Sequence, residues 1–280
     1  MQLFLRNIIV IIKYDIYMKE IILFIFVFGI LANSNAQEYI NPLSKGNDFF
    51  NQKSYIKASE QYEIAIPLIA RDIGKNNIKF EKALLNNSIA YREMYKYNRS
   101  MELLAELLDL ELSKENISHN KVLYLLSLVV DICLQSKSKS EAEIVCNFSM
   151  GYILENFGKD TKQTVMHLTN LAQKYLYNYE FEQAEKLYLL AYDVNIKIAE
   201  SELLEEQIYL GLSSVYKGIG NEELANDFEN KISKKKSKED TEGNQIATPS
   251  KVEYVLSSGR SSIATSSNAK SLLDALKAIK

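Results

Sequence analysis

The chain has 280 residues, 47% hydrophobic and 25% charged, with a net charge of −3. This balance suffices for a packed core, and so small a charge gives no reason to expect a nucleic-acid partner. Three prolines and ten glycines leave few breakers and favour long helices. Two cysteines and two histidines are too few for a zinc site of ordinary spacing and restrict catalysis by a histidine base.

The chain opens on an export signal. Ile21 to Ala32 is an unbroken apolar run preceded by Lys19, and Asn33-Ser34-Asn35-Ala36 supplies a small-x-small exit. That pattern predicts cleavage after Ala36 and a periplasmic or secreted mature protein. The run is shorter than the roughly 20 residues that span a bilayer. The alternative is an uncleaved membrane anchor that also uses Ile8 to Ile12, although Lys13 and Asp15 interrupt it. Met18 before Lys19 is a natural start for such a signal, so residues 1–17 read as a misassigned start.

From residue 39 to about 236 one pattern recurs. Small residues stand at Ala58, Ser100, Ala142 and Ala184, at steps of 42, and at Ala225, 41 further on. Twelve residues before each stands Gly46, Ser88, Val130, Ala172 and Ser213. Three after those stands Phe49, Tyr91, Cys133, Tyr175 and Tyr216. Four after each first anchor stands Tyr62, Leu104, Cys146, Tyr188 and, out of pattern, Glu229. Within the fourth unit Leu168, Leu171, Ala172 and Tyr175 have helical spacing, as do Phe181, Ala184, Tyr188 and Ala191. Tyr177 to Glu180 reads as the turn between them. Each unit is therefore expected to be two antiparallel helices whose small residues let the backbones approach. The third unit departs most, with Lys139 for an aromatic and Val130 for a small residue.

These residues resemble tetratricopeptide repeats, in the 42-residue form found in kinesin light chains and many bacterial proteins. Leu168 to Ala191 is the best match. The resemblance implies an all-α fold, a right-handed α-solenoid of about five antiparallel helix pairs over residues 37–236. The signal peptide would precede it and a polar tail ending in a short helix would follow. One helix pair cannot bury its own apolar face, so neighbours share a continuous core. The polar last helix, Asn221 to Lys236, fits a cap.

The family's binding surface is a groove lined by the first helix of each pair. Residues one step round from the core stripe are expected to point away from the second helix. Carried to this sequence, the groove residues are Asn47, Phe50, Arg92, Asp131, Gln173, Tyr177 and Lys217. Such a mixture suits a protein or peptide ligand, and it equally suits solvated helix positions. The family's carboxylate clamp of paired Lys and Asn is incomplete. Leu43 stands where Lys is needed beside Asn47, and Ile89 stands where Asn is needed with Lys82.

Other signals are weaker. Cys133 and Cys146 fall in core-facing phase on the two helices of one repeat; an oxidising compartment would permit a disulfide, and two buried thiols are the other reading. His119 lies beside Ser118 and Asn120 at a helix start, a capping context. His167 adjoins Leu168 on a repeat helix and has no catalytic neighbours in sequence. The lysines at 231, 234, 235, 236 and 238 suit a helix C-terminus. Residues 237–269 read as a polar linker. Ser271 then offers an N-cap to Leu272, Leu273, Leu276 and Ile279, a short amphipathic helix over 270–280.

No phosphate loop, nucleophile elbow or dinucleotide-binding glycine pattern is present. The reading is a non-catalytic scaffold or adaptor of the bacterial envelope that needs no cofactor or metal and holds a protein or peptide, with membrane contact only through an uncleaved signal. The alternative is a sensory or regulatory module whose effector lies on another chain.

Overall fold

The structure, a computed structural model, describes residues 38–198 and 202–238. The signal peptide, most of the polar linker and the short helix over 270–280 are expectations that lie outside these residues. Among the described residues there are ten α-helices and no strand. They are α1 (Ile40–Asn51), α2 (Tyr55–Asp72), α3 (Ile78–Glu93), α4 (Tyr97–Leu112), α5 (His119–Gln135), α6 (Lys139–Asn156), α7 (Lys162–Tyr177), α8 (Phe181–Ile198), α9 (Glu202–Gly218) and α10 (Glu222–Lys238). In sequence they form five pairs. The helices divide between two compact units, one ending at Met94 and one beginning at Tyr95.

The turn inside each pair is the most regular feature of the chain. Each has one residue in the left-handed region: Lys53 (φ 57°), Tyr95 (59°), Lys137 (64°), Tyr179 (62°) and Gly220 (78°). After Lys53, Lys137, Tyr179 and Gly220 the next N–H reaches back five residues. Ser54 donates to the Phe49 carbonyl (2.8 Å), Ser138 to Cys133 (2.8 Å), Glu180 to Tyr175 (2.9 Å) and Asn221 to Tyr216 (2.8 Å). Reversing the chain this way satisfies carbonyls that a helix end leaves orphaned. Gly74 and Gly158 (both φ 85°) end α2 and α6 in the same left-handed region. Asn77 and Thr161 then cap α3 and α7, accepting from the Lys79 and Thr164 N–H groups (2.9 and 3.2 Å).

The small-residue anchors form the core. Ala58, Ser100, Ala142, Ala184 and Ala225 are all fully buried. In the first unit the Tyr62 ring of α2 lies over Gly46 of α1. In the second unit Tyr188 of α8 lies against Gly211 of α9, and Phe181 against Gly218. A missing Cβ lets helix and ring meet at van der Waals distance.

The third repeat keeps the fold despite its departures. Val130 is fully buried, and Lys139 is exposed with its Nζ 2.6 Å from Glu180 Oε1 at the next turn. Helix α5 is buried continuously from Leu125 to Leu134, because α4, α6 and α7 all pack on it. The α4–α5 connector is tied down by buried Glu111, whose carboxylate accepts from Ser118 N–H (2.8 Å), Lys114 Nζ (2.7 Å) and Lys121 Nζ (2.9 Å). Burial alone would raise this carboxyl, but the two lysines and the backbone N–H outweigh it and hold it at about 2.

Helix α10 packs on α9. Ala225 and Phe228 of α10 are buried while most of its other described side chains are exposed or half-buried. Phe228 stacks on Tyr216 at 5.7 Å, and Lys231 Nζ lies 4.3 Å from the Phe228 ring. Glu229, where the first and fourth repeats carry Tyr, accepts from Ser213 Oγ (3.2 Å) and pairs with Lys217 of α9.

Candidate partner-binding face

In the second unit α7 packs between α5 and α9. These are the first helices of three consecutive pairs. Repeat steps of 42 and 41 place Tyr124, Met166 and Gln207 at one register on the three helices, and Asp131, Gln173 and Ser214 at another. Side chains at 124 and 131 on α5, at 166, 173 and 177 on α7, and at 203, 207, 210, 214 and 217 on α9 recur every three, four or seven residues. Each set is therefore one stripe of its helix, and the stripes share one face.

The expected groove residues of this unit have different surroundings. Asp131 is buried. It accepts from Gln135 Nε2 (3.2 Å) and Asn178 Nδ2 (3.1 Å), with Lys174 Nζ 3.5 Å away. Its carboxylate thus joins α5 to the end of α7. Gln173 is exposed and donates through Nε2 to the Tyr177 hydroxyl (2.9 Å). Tyr177 itself is exposed. Lys217 is exposed but its ammonium turns to Glu229 on α10, toward the second helix of its own pair.

In the first unit Asn47 behaves similarly. Its Oδ1 accepts from the Tyr62 hydroxyl of α2 (2.9 Å), and that hydroxyl accepts from Asn86 Nδ2 of α3 (3.2 Å). Phe50 is half-buried, with its ring edge-on to Tyr55 (5.9 Å) and Tyr62 (6.5 Å). Arg92 is half-buried and pairs with the adjacent Glu93 (2.7 Å). Asn47 and Lys217 depart from the expected outward direction for one reason. A polar side chain one step from the core stripe can reach a hydrogen-bonding group on the second helix, and doing so satisfies both.

Sequence reasoning missed the apolar part of the face. Tyr124 is 43% exposed, Met166 52%, Leu203 66% and Leu210 51%. Tyr124, Met166 and Leu203 lie toward the N-terminal ends of α5, α7 and α9 and Leu210 at the middle of α9, about two turns or more from Asp131, Tyr177 and Lys217. A usable signal existed. Tyr124 and Met166 are large residues one full repeat apart and off the core stripe, whereas the core anchors at the same step are small. Thr169, also on this stripe of α7, has a buried Oγ1 with no hydrogen-bond partner.

Cys133 and Cys146 are both free, buried thiols, on α5 and α6. Burial pushes them up to about 12 and about 11, and the Cys146 shift is partly offset by a hydrogen bond with Tyr175. Thiolates are thereby suppressed at both positions. His119 does not cap α5. As the first residue inside the helix it stands past the N-cap, Ser118; its Nδ1 lies 2.7 Å from the Tyr152 hydroxyl and its ring meets Phe157 edge-on. His167 is buried with no partner for Nε2, and burial lowers it to about 4. Among the described residues, no group of His, Cys, Asp and Glu is placed to hold a metal ion, and no helix is long and apolar enough to cross a membrane.

No family model matches the chain, and no curated protein matches it. Solved structures do. The crystal structure of BtubC (BKLC) from P. vanneervenii aligns with a TM-score of 0.50 and 14% identity, over 80% of this chain and 95% of that one. Two crystal structures of a Podosopora anserina putative kinesin light chain with nearly identical TPR-like repeats, one of them of a point variant, each align with a TM-score of 0.53 and 12% identity. They cover 74% of this chain and 98% and 99% of theirs. At such identities the likeness concerns the fold, which is of the tetratricopeptide-repeat type.

Proposed function

We propose that this chain, a helical repeat protein of tetratricopeptide type, is a non-catalytic scaffold of the bacterial envelope that holds a partner protein or peptide. Helical repeats of this fold generally serve protein–protein interaction. The envelope setting rests on the apolar run Ile21 to Ala32 and its small-x-small exit at Ala36. The observation that carries the binding reading is the set Tyr124, Met166, Leu203 and Leu210, four large side chains 43–66% exposed, the two leucines one turn either side of Gln207 in the register of Tyr124 and Met166. Scattered exposed apolar residues need no explanation, but several gathered on one face of neighbouring helices suit an interaction surface.

The test is site-specific photocrosslinking in intact cells, with a photoreactive residue at Met166 or Tyr177 and a control at exposed Glu143 on α6. The expected result is one envelope protein captured from Met166 and Tyr177 and not from Glu143. Capture from all three positions alike, or from none, would remove the face from consideration. Export is tested separately by the N-terminus of the mature protein, expected at Gln37. A mature chain that retains residues 19–36 would overturn that part.

A further inference from the structure

We propose that residues 271–280 of the same chain dock in cis on the apolar end of this face, over Tyr124, Met166, Leu203 and Leu210. The inference rests on the reading of that face as the working surface and adds how access to it is controlled.

The face favours an uncharged contact. Its charged groups answer one another: Asp131 has Lys174, Gln135 and Asn178 around it, and Lys217 is held by Glu229. The apolar end therefore offers contact area rather than charge. Its extent is on the order of a few hundred Å², as large as the biggest patch an ordinary monomer leaves open. An occupant should carry apolar side chains along one stripe and polar ones opposite.

The sequence holds such a segment. Leu272, Leu273, Leu276 and Ile279 stand at i, i+1, i+4 and i+7; Asp274 falls opposite them at helical spacing, and Lys277 borders the stripe beside Leu273. Four apolar side chains along that stripe suit three neighbouring helices that each offer one or two exposed apolar side chains. Reach is ample. Thirty-two residues separate Lys238 from Ser271, and a chain of that length spans up to about 100 Å. Three adjacent helices measure roughly 20 Å across at their axes. Tethering at this length gives an effective concentration on the order of 1 mM. A contact of about 100 μM intrinsic affinity would then be about 90% closed, and an external partner would bind roughly tenfold more weakly than to an open face.

The experiment uses the full mature chain with benzoylphenylalanine at Tyr124 and, in a second protein, at Met166. Each is irradiated at about 1 μM, and monomer-sized product is digested and mapped by mass spectrometry. Crosslinks to peptides from 271–280 are expected from both positions. They should disappear in the Leu272→Asp/Leu276→Asp variant, whose far-ultraviolet circular dichroism should match the parent. A synthetic peptide of residues 270–280 should then label that variant in trans at tens of micromolar. Absence of tail crosslinks in the monomer, or tail crosslinks confined to dimer-sized species, overturns the proposal. The scaffold reading fails on a different result: a variant with its tail freed that still captures no envelope protein from Met166 in cells.

Discussion

The ring of Tyr188 on α8 lies so close to Gly211 on α9 that a Cβ there would overlap three of its carbon atoms. The ring is buried, so it has nowhere to swing. Gly211→Ala should therefore lower stability by about 1–3 kcal/mol, as overpacking does, despite the roughly 1 kcal/mol that Ala gains over Gly in a helix. Gly151 in the middle of α6 supplies the contrast, since nothing stands within 4 Å of a Cβ built there. Gly151→Ala should raise stability by about 0.5–1 kcal/mol. Urea unfolding of both variants decides the matter, and equal shifts would show that the helix contact is not as close as described.

The left-handed turn residues make a second prediction. Lys137 sits at φ 64°, where a side chain costs energy and glycine does not. The equivalent residue of the last pair is Gly220. Lys137→Gly should leave stability unchanged or raise it by up to about 1 kcal/mol, because relief of strain outweighs the entropy gained by the unfolded chain. Lys137→Val should lower it by about 1–2 kcal/mol, since a β-branched residue tolerates that region poorly. Thermal denaturation of the pair gives the order.

These two positions show what the sequence made legible. The anchors Ala58, Ser100, Ala142, Ala184 and Ala225 could be read because burial at a helix crossing admits few residue types, and all five are fully buried. The turn residues could not be read singly. Lys53, Tyr95, Lys137 and Tyr179 carry no left-handed signal in their chemistry, and their common role follows only from position in the repeat. The candidate face was legible in part for a related reason. Register placed Asp131 and Gln173 at the same repeat position, but whether a side chain faces outward depends on partners that lie far off in sequence. Asp131 meets Asn178, and Lys217 meets Glu229, across spacings unrelated to the repeat.

Asp131 ties α5 to the end of α7, so its removal tests that seam. Asp131→Ala should cost about 1–3 kcal/mol, because the Asn178 and Gln135 amides lose an acceptor in half-buried surroundings. Asp131→Asn should cost less, since its Oδ1 still accepts while the pairing with Lys174 is lost. The same variants should leave the α9–α10 pair untouched, which hydrogen exchange resolved by helix can read.

Both cysteines should be inert in the folded chain. With Cys133 and Cys146 buried and raised to about 12 and about 11, little thiolate exists at pH 8 and reagent has no access. Iodoacetamide is expected to label neither thiol over a time in which both react in 8 M urea. Intact-protein mass spectrometry counts the adducts. Rapid native labelling of Cys146 would mean that the α5–α6 pair opens far more readily than its packing implies.

Acid should destabilise the protein in two separate windows. His167 is held near 4 by burial, against 6.5 when unfolded. Between those values the unfolded chain binds a proton that the folded one refuses. Stability is therefore full above about pH 6.5 and falls as pH drops toward 4. A shift of this size removes about 2 kcal/mol between pH 7 and pH 5. Glu111 also has a folded value below its unfolded one, about 2 against 4.5, so its contribution is lost only below the ordinary carboxylate range. The second, third and fifth repeats carry Ala83, Leu125 and Ile208 at the register of His167. His167→Leu should accordingly flatten the pH 7 to 5 slope and leave the loss below pH 4 in place. Urea midpoints at pH 7, 6, 5 and 3.5 for parent and variant separate the two windows, and parallel curves across all four would show that His167 is not the group that titrates.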